Sequence, residues 1–144
     1  MQIVILGTQA QKDELLQSGA RSTAELIWIT DLHEISKYRS ADAIMDLLFE
    51  NDVKRIKLLS DFKNIPVIIN SVCDTLQETN PSFIRIAGWT TFLTGTVIEA
   101  SCIEESKKTK AEEVMAQLGK KLQWLPDTPG FVTPRVVSMI INEA

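Results

Sequence analysis

The 144-residue chain has one histidine, two cysteines and one tyrosine, and its acids outnumber its bases, 19 to 15. Each shortage excludes a class of function. Cys73 and Cys102 cannot make a disulfide framework, so a reducing, cytoplasmic setting is expected. Two scattered cysteines and one histidine have no metal-ligand spacing, and no metal is expected. A net charge of −4 argues against sequence-independent nucleic-acid binding, which needs a basic face. No apolar run reaches the roughly eighteen residues of a membrane span, and "MQIVILGTQA" has neither the basic start nor the cleavage site of a signal peptide.

What is present alternates β-rich runs with amphipathic ones. "QIVIL" (2–6) is an apolar run stopped by Gly7, suited to a strand buried on both faces. Further strands are predicted over 24–31, 41–49, 65–72, 82–88, 95–102 and 122–127. Helices are predicted over 9–20, with Leu15 and Leu16 inward and Gly19 as the stop, and over 51–62 behind an Asn/Asp start. In the second, Val53, Ile56, Leu58, Leu59 and Phe62 make the apolar stripe. The clearest helix spans 106–122, with Ala111, Val114, Met115 and Leu118 on one face. A last helix begins at Pro134, and "DTLQE" is a short helical turn. Strands alternating with helices predict one α/β domain with a mostly parallel sheet.

The first strand-to-helix turn, "GTQAQK", is where a dinucleotide fold holds its pyrophosphate. Gly7 is in place, but Gln9 and Lys12 stand where the second and third glycines of G-x-G-x-x-G belong. The turn reads either as an ordinary connection or as an anion site formed by helix N–H groups with Lys12 adding charge. Its discriminating feature is whether Gln9 folds aside and leaves the N–H groups of residues 9–12 open. Asp31 lies 24 residues after Gly7, where an acid could accept from a ribose hydroxyl, or cap a helix instead. His33 reads as a surface residue. In "GWTTF", Trp89 and Phe92 are expected to pack a turn, with Thr90 and Thr91 lacking a base beside them. Glu99 lies in an apolar strand, and Arg85 on the neighbouring strand is its expected partner; an ion pair and a relic of catalysis are both open.

Four segments carry a resemblance. "ADAIMDLLFENDVKRIKLL" resembles the stretch of 3-hydroxyacyl-CoA dehydrogenases that reads roughly aDlViEAvfE before a basic helix. "VIINSVCDTLQE" is similar to their strand ending in a Ser/Asn/Thr-rich turn, and "RIAGWTTFLTGTVIEAS" to their R-F-x-G-x-H-F-F-N-P segment and glutamate strand. "PDTPGFVTPRVVSMIINEA" resembles D-x-P-G-F-x-x-N-R with its helix, and is the most specific match. The similar regions cover most of residues 41–144, while the family's second helix and third strand are missing or short between Asp31 and Ala41.

The resemblance implies a Rossmann-like fold, with residues 1–133 as the NAD-binding-type domain and 134–144 as the start of the family's helical dimerisation domain. It implies NAD as cofactor, acyl-CoA or a nucleotide as ligand, and Gly7, Gln9, Lys12, Asp31, Asp46 and Glu50 on the cofactor side. The catalytic side departs from the pattern. Thr90 holds the place of the general-base histidine, Leu93 and Pro134 hold places of asparagines, and Asp74 falls near the serine. Glu99 keeps its type, but its family role is to orient the missing histidine. Three readings follow: a degenerate domain keeping the fold without turnover, an active oxidoreductase on a small 3-hydroxyacyl-CoA with Asp74 or Asp46 as base, or an interaction module. Val136, Val137, Met139, Ile140 and Ile141 make the last helix apolar nearly all round, which predicts a homodimer through residues 134–144.

Overall fold

A computed structural model describes residues 1–17, 19 and 22–143. Seven strands form one sheet in the order β2-β1-β3-β4-β5-β6-β7. They are β1 (Gln2–Leu6), β2 (Glu25–Ile29), β3 (Ala43–Asp46), β4 (Val67–Asn70), β5 (Ile84–Ile86), β6 (Val97–Cys102) and β7 (Lys121–Trp124). β1 to β5 run parallel, β6 pairs antiparallel to β5, and β7 runs parallel to β6. The fold is Rossmann-like, as expected. Helices α1 (Gln9–Leu16), α2 (Val53–Ser60) and α3 (Lys108–Ala116) flank the sheet, and α4 (Thr133–Glu143) follows it.

Strand alternation divides the core between two faces. Ile3, Ile5, Ala43, Met45 and Ile68 point to the face covered by Leu15 of α1 and by Ala111, Val114 and Met115 of α3. Val4, Leu6, Ile44, Val67 and Ile69 point to the other, under Leu59 of α2 and Ile35. Each fully buried Ile or Leu contributes roughly 1.5–3 kcal/mol, so the apolar runs suffice to fix the sheet.

Several boundaries are tighter than the sequence suggested, for local reasons. The third strand ends at Asp46 because its carboxylate accepts from Leu48 N–H (3.0 Å) and bends the chain into a turn. α3 stops before the predicted 122: Gly119 turns left-handed (φ 72°), and Gly119 and Lys120 N–H donate back to Ala116 and Met115 carbonyls. That frees Lys121–Trp124 to be β7. Val53, expected inward, is 81% exposed, because it is the first residue of α2. "DTLQE" forms turns, with Glu78 and Thr79 N–H donating to Thr75 O. Parts of the predicted first and last helices, at Ser18, Ala20 and Ala144, lie outside the described residues.

Candidate functional site

β1 lies between β2 and β3, so the chain leaves it in one direction and later returns on the other side. The crevice at the carboxyl ends of such strands is where open α/β sheets bind ligands. Here it is crossed by side chains. Thr8 caps α1, accepting from Gln11 N–H (3.1 Å), while Gln11 Oε1 accepts from Thr8 N–H (2.9 Å). The Gln11 amide then reaches across and donates from Nε2 to Leu47 O (3.1 Å). From the other side Asn70 Nδ2 donates to the same carbonyl (3.3 Å), and Asn70 Oδ1 accepts from Gly88 N–H (2.9 Å). Gly88 has to be glycine for this approach, since a Cβ there would lie 2.9 Å from the Asn70 carboxamide.

The cofactor-side residues are dispersed. Gln9 does fold aside, donating to Asp13 along the outside of α1 (2.9 Å). Yet the N–H groups of residues 9–12 are not all open, because Gln11 donates to Thr8 Oγ1 and Lys12 to Thr8 O (3.0 Å). The Lys12 ammonium sits over the Trp28 ring, 5.2 Å from its centre. Asp31 caps a 3-10 helix (Leu32–Lys37) by accepting from His33 N–H (2.9 Å), and His33 itself is exposed. Asp46 is fully buried and held by both Nε and Nη2 of Arg55 at 2.7 Å. Burial pushes its carboxyl above the usual range, with the Arg55 contacts pulling the other way. Glu50 is exposed and shares with Asn70, Asp74 and Trp89 a cavity of about 250 Å³.

A dinucleotide pyrophosphate needs free N–H groups at the helix start and room for close approach. The reciprocal Thr8–Gln11 cap takes two of those groups out of play, and the Gln11 side chain occupies the gap between Gly7 and Leu47; even a Cβ on Gly7 would lie 3.2 Å from its Oε1. The residues present do not fit that group.

The other half of the carboxyl edge is built from charges. Glu99 does not pair with Arg85, and this corrects the expectation from sequence. Its carboxylate accepts from Val132 N–H (3.1 Å), Thr133 N–H (3.0 Å) and Thr133 Oγ1 (2.6 Å), holding the start of α4, where a negative charge is favoured. Arg85 turns to Asp127 instead (2.9 Å), donates to Ser71 O and Val72 O, and stacks on Phe131 at 4.1 Å. The reason is register: Arg85 lies opposite Ser101 rather than Glu99, and its fully buried guanidinium is matched by Asp127 and the carbonyls after β4.

Trp89 and Phe92 stack at 6.1 Å, with Thr90 exposed between them. Thr91 is left-handed (φ 76°) and donates its N–H to Glu14 (3.1 Å). A cavity of about 190 Å³ beside Glu99 is lined by Thr91, Phe92 and Pro134, and not by Thr90. Asp74 is half-buried, and its backbone carbonyl accepts from Ser71 Oγ (2.8 Å). Thus Glu50 and Asp74 share one cavity and Glu99 lines another, while Asp31 and Asp46 have structural partners. Sequence reasoning missed Gln11 and Asn70. The signal for Gln11 was legible, since Thr8 followed by a glutamine three residues on is a capping box. Asn70 had no such signature.

No family model matches the sequence, and no curated protein does. Solved structures do. The (S)-3-hydroxybutyryl-CoA dehydrogenase of Ralstonia eutropha superposes on 99% of this chain with a TM-score of 0.65 at 17% identity, over 69% of its own length. The fold is shared with 3-hydroxyacyl-CoA dehydrogenases. That of Archaeoglobus fulgidus matches 99% of the chain at a TM-score of 0.67 and 13% identity, over 62% of its length. An NAD+-dependent dismutase, 5-formyl-3-hydroxy-2-methylpyridine 4-carboxylic acid 5-dehydrogenase, gives 0.67 at 14% identity, again with 99% of this chain and 63% of that one. The chain therefore spans under two thirds of the length of two of these three structures.

Proposed function

We propose that the chain is a divergent 3-hydroxyacyl-CoA dehydrogenase-type domain that keeps the NAD-binding fold but does not transfer hydride. The observation that carries this reading is the use of Glu99. Its two oxygens are engaged by Val132 and Thr133 at the start of α4. No imidazole is within reach to be oriented by it. The only histidine, His33, follows β2, and β2 is five strand spacings from β6, which carries Glu99, about 24 Å. Thr90 cannot take a proton from a hydroxyl near neutral pH, and loss of a general base alone lowers rate about 10²–10⁴-fold. The test is to mix the protein with NADH and acetoacetyl-CoA and follow nicotinamide fluorescence. A constant signal is expected; steady consumption of NADH overturns the reading.

A non-catalytic role directs attention to α4. Val136, Met139, Ile140 and Ile141 are 49%, 60%, 62% and 68% exposed, more apolar surface than an isolated helix holds in water without cost. Self-association through residues 134–144 covers that face in this reading. Sedimentation velocity tests it: a dimer is expected, and a monomer at all accessible concentrations rules it out.

A further inference from the structure

The geometry points to a cofactor crevice that is closed by the chain itself: the carboxamides of Gln11 and Asn70 clasp the Leu47 carbonyl from opposite sides and exclude a dinucleotide. The inference deepens the function proposed above and rests on it only for the choice of ligand.

Four hydrogen bonds make the clasp. Thr8 N–H donates to Gln11 Oε1, Gln11 Nε2 and Asn70 Nδ2 both donate to Leu47 O, and Gly88 N–H donates to Asn70 Oδ1. The line runs from the end of β1 to the loop after β3, the last residue of β4 and the loop after β5. It therefore spans the switch point from wall to wall. A carbonyl oxygen has two lone pairs, and both at Leu47 are taken. Thr8 N–H, a donor at the mouth of the helix, already has an acceptor oxygen in Gln11 Oε1.

An incoming pyrophosphate would have to displace these contacts and would meet little compensation. Lys12, the cation nearest in sequence, is turned onto Trp28. The Asp46 carboxylate at the end of β3 is already matched by Arg55, leaving no spare positive charge from that pair, and Glu50 stands exposed in the following loop with the same sign as the ligand. The clasp is neutral, short-range and supplied in cis, so it is present at full effective concentration whenever the domain is folded.

The test is a titration of the full chain with NADH, followed by nicotinamide fluorescence, on wild type and Gln11→Ala. Alanine removes the amide and keeps helix propensity. Wild type is expected not to saturate up to millimolar NADH, and Q11A to bind at least tenfold more tightly. Since Q11A also removes half of a capping box, a second measurement needs no variant: amide exchange of Thr8 and Gly88 in wild-type protein. Both sit in loops, and the clasp predicts that they are protected. Saturable NADH binding by wild type, no gain in Q11A, or free exchange of either amide overturns the inference. Binding by wild type without consumption of acetoacetyl-CoA removes the clasp and leaves the proposed function standing; turnover by wild type removes both.

Discussion

The two halves of the carboxyl edge have met the same problem with different chemistry. Around β1, β3 and β4 the loop ends are tied by neutral carboxamides, from Gln11 to Gly88. Around β5 and β6 they are tied by charges, Arg85 to Asp127 and Glu99 to the first turn of α4. In both, polar groups at the carboxyl edge of the sheet are spent on the chain itself, and among the described residues no buried side-chain nitrogen or oxygen lacks a partner. The lesson is energetic. A neutral hydrogen bond is worth about 1 kcal/mol net, whereas stripping one partner from a buried charge costs about 3–5 kcal/mol. The Arg85 and Glu99 ties should be brittle and the carboxamide ties tolerant, while the buried Asp46–Arg55 pair at the end of β3 is a charged exception within the amide half.

Arg85→Ala probes this hardest. It strips Asp127 of its counter-charge, leaving that carboxylate only the Leu76 N–H, takes the side-chain donor from Ser71 O and opens the space under Phe131, so about 3–5 kcal/mol of stability should be lost in urea unfolding. A loss below about 1 kcal/mol would erase the contrast between the halves. Glu99→Ala comes next, at about 1–2 kcal/mol, with early amide exchange in the first turn of α4; Glu99→Gln keeps the acceptor and should cost less. In the amide half, Gln11→Ala should cost about 1 kcal/mol by the same assay, the worth of a capping box.

Lys120 adds a dependence on pH. It is 2% exposed, donates to Gly95 O (2.8 Å), and no carboxylate among the described residues is paired with it. Burial holds its ammonium below the usual 10.5, so just below that pH the unfolded chain binds more protons than the folded one. Stability attributable to this site therefore rises with pH across the window that ends near 10.5. Lys120→Met removes this dependence, so its stability relative to wild type should fall as pH climbs toward that value, read by urea unfolding at a series of pH values.

Periodicity made the sheet readable. From Ile3 to Leu6 β1 is apolar at every position because both its faces are buried, and the other six strands were marked by short apolar runs between turns. The Ala111, Val114 and Met115 face of α3, with Leu118 just past its end, was equally plain. What escaped was decided by contacts distant in sequence. Nothing near Glu99 says that residues 132 and 133 will arrive to take both its oxygens, and nothing near Arg85 names Asp127. The antiparallel step from β5 to β6 makes Ser101, not Glu99, the residue opposite Arg85, a register fixed by pairing geometry rather than composition.

The Arg85 cluster also has a consequence in time. A chain is made from its N-terminus, and Asp127 comes 42 residues after Arg85. Until that carboxylate exists, seating β5 against β4 means dehydrating a guanidinium with no counter-charge. The strands from β1 to β4 have no such debt and can assemble while synthesis continues. A nascent chain halted before residue 127 should thus hold a protected β1–β4 core beside an open β5, and the arrival of one aspartate would set the moment at which β5 can close.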